Sequence, residues 1–190
     1  MYALVEDNEV KEIITNPKSL VIGDVRYPAK IFELWSKAEL NAIGIYEVIT
    51  DSTNKKDEAY YINTNEEYNY ADNQVTRSWG TATPKRLEDE DGNQVINYGL
   101  KTEKKRIVKQ QASGLLAPTD WYVVKATEVA DYSVPNNITT FRADVRAKSN
   151  KMETQIDACT NVDELKALYE YTEQEDGTIT RPLAEFPKEI

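Results

Sequence analysis

The chain has 190 residues, 40% of them hydrophobic, with a mean hydropathy of −0.64, which suits one ordinary domain or two small ones. A formal net charge of −10 argues against nucleic acid and against an anionic membrane surface as partners, because both select a basic face. There is no histidine and a single cysteine, Cys159, which removes a disulfide framework, a Ser-His-Asp triad and a zinc site by composition.

The opening "MYALVEDNEVKEIIT" reads as a hairpin, with Tyr2, Leu4 and Val10, Ile13 on either side of the turn pair Asp7-Asn8. It has no basic n-region and no long apolar core, so no secretory signal is expected, and no apolar run approaches the roughly 20 residues of a membrane span. A second extended piece, "SLVIGDVRYPAKIF", is broken by Gly23 and Pro28. In "SKAELNAIGIYEVITD", Ser36 and Glu39 predict a capping box, Leu40 and Ile43 face inward, Gly44 stops the helix and a strand follows.

Residues 51–84 are rich in tyrosine. Ala71-Asp72-Asn73-Gln74 predicts a turn, Val75, Arg77 and Trp79 alternate as a half-buried strand, and Tyr60, Ile62, Tyr68 and Tyr70 fit the partner of a long hairpin. The stretch "KRLEDEDGNQ" is a polar linker.

Helical periodicity then takes over. In "GLKTEKKRIVKQQASGLL" the stripe is Leu100, Ile107, Val108, Ala112, Leu115 and Leu116, with Lys101, Lys104, Lys105, Arg106 and Lys109 facing out. "SGLLAPTDWYVVKATE" is a joint: Thr119 reads as an N-cap, Asp120 suits the positive helix end, and Trp121 is expected to swing against Leu115-Leu116. A structural elbow is the favoured reading, and an exposed Trp121 gripping a partner is the alternative.

A second helix opens at Pro135. Its apolar residues Ile138, Phe141, Val145, Met152, Ile156 and Cys159 make a narrow seam, to be covered by the 94–116 helix or by another copy of the chain. Asn161 and Glu164 cap a third helix packed by Leu165 and Leu168, and the tail, with two prolines and an Asp176-Gly177 turn, is expected to be extended.

No catalytic, cofactor or metal residues stand out. The acidic run Asp89-Glu90-Asp91-Gly92 fails as a calcium loop because Leu87 and Tyr98 fall at the terminal ligand positions, and the Gly177 turn fails at Leu183, so both read as solvated loops. Cys159 reads as a buried structural thiol, and Asn137-Ile138-Thr139 as a chance sequon. The basic cluster on the first helix balances a solvated face or meets an acidic partner, and Trp35 and Trp79 read as core or interface anchors. The tyrosines read as cross-strand pairs rather than a stacking platform for sugars.

One segment, "KKRIVKQQASGLLAPTDWYVV…ITTFRADVRAKSNKMETQIDACTNVDELKAL", resembles the C-terminal helical module of tailed-phage tail fibre assembly proteins and related tail accessory proteins. The pattern is carried by Leu115-Leu116, Thr119-Asp120-Trp121, Phe141-Arg142 and Arg146, with Phe141 standing where that family has tyrosine. The N-terminal "MYALVEDNEVKEI…YPAKIFELWSKAELNAIGIYEV" is similar to the opening module of such proteins, whereas the central hairpin and the tail are outside the resemblance. It implies a non-enzymatic protein that binds a tail fibre or baseplate component, as an assembly factor in the host cytoplasm or as a virion-attached tail subunit.

The expected fold is α+β: an N-terminal α+β module over 1–50, the hairpin and acidic linker over 51–93, a helical hairpin or three-helix module over 94–170, and an extended tail over 171–190. Partner-contact candidates are Trp121, Phe141, Arg142, Arg146, Trp79, Tyr68 and Tyr70. Two readings of other classes stay beside this one: a carbohydrate-binding or carbohydrate-active protein, and a small acidic inhibitor of a host protein.

Overall fold

In the computed structural model, which describes residues 1–91 and 96–188, strands and helices segregate into an α+β fold of two compact units, Met1–Thr83 and Pro84–Ile190. The first unit is built on strands β1 (Tyr2–Glu6) and β2 (Glu9–Ile14). The turn between them holds Asp7 at φ 53° and Asn8 at φ 62°, the left-handed pair that matches the twist of a two-residue hairpin.

A small hairpin follows, β3 (Leu20–Ile22) and β4 (Val25–Tyr27), then the short helices α1 (Ile31–Leu34) and α2 (Lys37–Ala42). The capping box forms as predicted: the Ser36 hydroxyl accepts from the Glu39 amide, and the Glu39 carboxylate accepts from the Ser36 amide. Gly44 ends the turn at φ 82°. A Cβ there would sit 2.6 Å from the Val5 carbonyl oxygen, so only glycine lets β5 (Ile45–Thr50) enter beside β1.

Two-residue strands β6 (Tyr61–Ile62) and β9 (Thr83–Pro84) flank the predicted hairpin, which is β7 (Glu67–Ala71) and β8 (Gln74–Ser78), turned by Asp72 and Asn73 at positive φ. Tyr60 and Ile62, expected in the partner strand, lie outside it, and Trp79 follows the end of β8. The hairpin is not a separate arm: β8 runs parallel to β5, giving one sheet of order β2-β1-β5-β8-β7.

One face of that sheet buries Leu4, Ile14 and Ile45 against Leu20, Ile31, Phe32 and Leu40. The other encloses Ala3, Val5 and Val75, covered from β2 by Val10 and Ile13 and from β7 by Tyr68 and Tyr70. The sheet therefore curls until its two outer strands, β2 and β7, approach each other.

The second unit begins with β10 (Glu90–Asp91) and β11 (Ile96–Asn97). Gly92, the last residue of the acidic run, lies outside the described residues. The described acidic side chains are exposed, as expected of a solvated segment, but they are also partnered. Glu88 pairs with Lys101 and Glu90 with Arg86, while Asp89 accepts from the Gly99 amide at 2.7 Å and the Thr102 hydroxyl at 3.0 Å. Asp89 thus caps helix α3 (Leu100–Leu116) from ten residues upstream, a cap that Gly99 at the N-terminus cannot supply itself.

Helix α5 (Asn136–Ala158) packs on α3. Its predicted seam is buried from Ile138 to Cys159, and it closes within the chain, with Ala112, Phe141 and Val145 in one cluster under Leu115, Leu116 and Phe186. Ion pairs Lys105–Asp157 and Lys109–Glu153 lace its rim.

Two corrections concern α3. Lys101, expected to face out, is only 8% exposed, and its ammonium bonds Glu88 and the Asp157 carbonyl. Ile107, expected in the stripe, faces solvent. The contact line on α3 runs through Lys101, Val108 and Ala112, and a lysine can hold such a position when its charge is fully paired.

Helix α6 (Val162–Ala167) carries its predicted Asn161 cap, which accepts from the Glu164 amide, but the box does not close on the cap residue: the Glu164 carboxylate accepts from the Thr160 amide, one residue earlier. The tail makes a small hairpin, β12 (Thr172–Glu173) and β13 (Ile179–Thr180), then an extended strap in which Leu183 is buried. Gln155 holds this strap with both ends of its amide, donating to the Pro182 carbonyl and accepting from the Ala184 amide.

Candidate partner-binding site

The joint after α3 is a kink in a nearly continuous helix. Pro118 has no N–H to offer the Gly114 carbonyl, so the α-ladder cannot pass it. The chain tightens into a 3-10 turn, Ala117–Thr119, and resumes as α4 (Asp120–Glu128). The Asp120 amide turns to the Ala117 carbonyl, which leaves the Leu116 carbonyl without its ladder partner.

Thr119 is not the N-cap that the sequence suggests. Its backbone stays helical at φ −104°, ψ −2°, and its hydroxyl donates backwards to the Leu116 carbonyl at 2.7 Å. A cap needs extended backbone and a side chain that accepts from an amide ahead. Here the threonine bonds back inside the helix and helps to bend it.

Arg142, from α5, completes the joint and is only 8% exposed. Its Nη1 donates to the Leu116 carbonyl at 3.0 Å and to Thr119 Oγ1 at 2.5 Å, and pairs with Asp120 Oδ1 at 2.8 Å. All three partners belong to the kink, and together they offset the cost of burying a guanidinium. The residue before it, Phe141, is buried against Ala112 and Val145. The aromatic-Arg pair therefore divides its work: the ring holds the helix pair together and the cation fixes where α4 departs.

Helix α4 itself has no buried residue. Trp121 is 52% exposed, and Val123, Val124 and, past the helix, Val129 also face solvent. Trp121 does not cover Leu115-Leu116, as expected from sequence; Phe141 and Phe186 do that. Its ring lies on Tyr122, centroids 3.8 Å apart, and Lys125 stands 5.8 Å from it and 4.4 Å from the Tyr132 ring. Arg146, one turn beyond Arg142, is exposed and donates to the Arg142 carbonyl at 3.3 Å.

The remaining candidates lie in the first unit and are built into it. Trp79 is 7% exposed, with Lys55 and Arg77 over its ring. Tyr68 and Tyr70 are half-buried in the enclosed face of the sheet. The Tyr70 hydroxyl donates to Tyr46 at 2.9 Å, and this bond, with burial behind it, holds Tyr46 above the ordinary tyrosine range. Burial first, and the bond to Glu66 second, do the same for Tyr68. Cys159 is buried, burial pushes its thiol up, and its Sγ–H points at the Gln155 carbonyl. A thiol held protonated in this way is a poor nucleophile.

No family model, curated protein or solved structure matches this chain. Among the described residues no three Cys, Asp or Glu side chains gather as a metal ion would require, and no described helix is long and apolar enough to cross a membrane. Of the predicted contact residues, Trp121 and Arg146 reach solvent, and α4 is the one described helix of eight or more residues that buries none of its side chains. Sequence reasoning missed Ser149 and Lys101 as seam positions. Spacing could have found Ser149, which stands three residues before Met152 and so continues the 4-3 steps of Met152, Ile156 and Cys159 backwards into the gap after Val145.

Proposed function

We propose that the protein is a non-enzymatic accessory subunit of a bacteriophage tail that binds a tail fibre or baseplate component through α4. One observation carries this reading. Four of the residues that give the chain its resemblance to tail fibre assembly proteins converge on a single device: Leu116, Thr119, Asp120 and Arg142 hold a helix that buries none of its side chains and offers Trp121 and Val124 to solvent. A half-exposed tryptophan beside exposed valines is the kind of patch that a partner desolvates, and tryptophan is strongly enriched among residues that dominate binding energy.

A carbohydrate-directed role for the tyrosine-rich strands finds less support, because Tyr68 and Tyr70 are half-buried in the enclosed face of the sheet and Trp79 is buried beneath Lys55 and Arg77. The test is co-expression with candidate tail fibre and baseplate proteins, followed by isolation of complexes. The wild type should retain one of them, and Trp121→Ala and Val124→Asp should release it. Failure to retain any of them would refute the reading. Stoichiometric presence in purified particles identifies a permanent tail subunit; absence from particles identifies a transient assembly factor.

A further inference from the structure

We propose that Arg142 is a latch on α4, and that α4 swings about the turn 117–119 between the kinked arrangement and a straight continuation of α3. The inference regulates the docking face and rests on the reading of α4 as that face, but its geometry stands alone. Since α4 buries no side chain, what fixes its direction at the near end is the set of three Arg142 contacts, to the Leu116 carbonyl, the Thr119 hydroxyl and the Asp120 carboxylate.

Straightening demands little of the backbone. Leu116, Ala117, Thr119 and Asp120 already have helical φ and ψ, and the Leu116 carbonyl and Asp120 amide could return to each other once Arg142 lets go. Only the bond that Pro118 cannot donate stays unmade. The far end has enough slack. A nine-residue helix rises about 13 Å. The seven residues Val129–Pro135 that lead back to α5 span up to about 23 Å when extended.

The latch is also soft in a specific way. The Asp120 side chain is 60% exposed, so its share of the hold is screened by salt, whereas the Leu116 and Thr119 bonds are not. A partner that favours one arrangement shifts the balance by its difference in affinity for the two.

The test places spin labels at Glu128 and Lys148, both exposed, with Cys159 replaced by alanine, and measures their distance distribution in the full chain. The wild type at low salt should give one narrow distance. Arg142→Met, and separately Thr119→Val with Asp120→Asn, should broaden it or add a second distance, and high salt should move the wild type the same way. Circular dichroism checks that the helices survive. If Arg142→Met loses them, the double variant decides. A single wild-type distance in a folded variant at both salt concentrations overturns the latch. Loss of partner by Trp121→Ala with the wild-type distance intact supports the docking reading, and a broadened distance in the Arg142 or Thr119/Asp120 variants supports the latch. Retention of the partner by Trp121→Ala refutes the docking reading without touching the latch.

Discussion

Within one short motif, Trp121 and Phe141 should behave in opposite ways when truncated. Phe141 is 6% exposed between two helices, so Phe141→Ala removes a full core ring and costs about 3–5 kcal/mol. At several degrees per kcal/mol for a unit of this size, its melting midpoint should fall by about 12 °C or more, or the unit should not fold. Trp121 keeps 52% of its surface in water, and the groups around it, Tyr122 and Lys125, travel on its own helix. Trp121→Ala should therefore cost less than about 1 kcal/mol of stability. If α4 docks a partner, the same change should weaken binding by about 2 kcal/mol or more, roughly 30-fold. Calorimetry on the full chain, read on the transition of the helical unit, and titration with the fibre protein measure the two effects. Should Trp121→Ala lower the midpoint as far as Phe141→Ala does, the tryptophan is packed and the reasoning about α4 fails.

Two glycines in and beside α3 should also diverge. A Cβ on Gly99 would meet the Glu88 carbonyl at 2.4 Å, so Gly99→Ala should cost about 2–3 kcal/mol and loosen the start of the helix. Gly114 has nothing within 4 Å, and Gly114→Ala should stabilise by up to about 1 kcal/mol; urea midpoints of the two variants decide, and equal signs would refute the placement. The carboxylates at the starts of α2 and α6 predict the acid limb. The Ser36 hydroxyl holds the Glu39 carboxyl below the usual carboxylate range, and the Thr160 amide does so for Glu164. Folded values below unfolded ones mean that the stabilisation is complete at neutral pH and is lost as pH falls through and below the carboxylate range. Glu164→Gln should flatten that limb for the helical unit, and an unchanged pH profile would show that the Glu164 carboxylate contributes nothing.

Local chemistry was legible in the sequence wherever one or two neighbours decide the outcome. Asp7-Asn8, the Ser36–Glu39 box, the Asn161 cap and Gly44 are each settled within a few residues, so composition and spacing suffice. The seam from Ile138 to Cys159 was legible because a 3-4 spacing has one meaning on a helix. Three things were not. The parallel pairing of β5 with β8 has no local signal, since either strand alone reads the same. Lys101 and Arg142 are buried because partners far along the chain satisfy them, and a sequence offers only the charge. Thr119 followed by Asp120 looks like the start of a helix, but the chain had never left one, so the hydroxyl faced a free carbonyl behind it rather than free amides ahead.

The parallel contact between β5 and β8 also sets a clock. It cannot form until the whole segment from Asp51 to Asn73 has been closed into a loop, an entropic cost that neighbouring contacts do not repay beforehand. The second unit, in contrast, rests largely on helices that form by contacts close along the chain. Folding rates track that difference, so the helical unit should reach its native form first although the ribosome makes it last. During synthesis the curled sheet is then the slow partner, and stopped-flow refolding should show two phases, the slower reported by the tyrosines of the first unit and the faster by helix formation in the second.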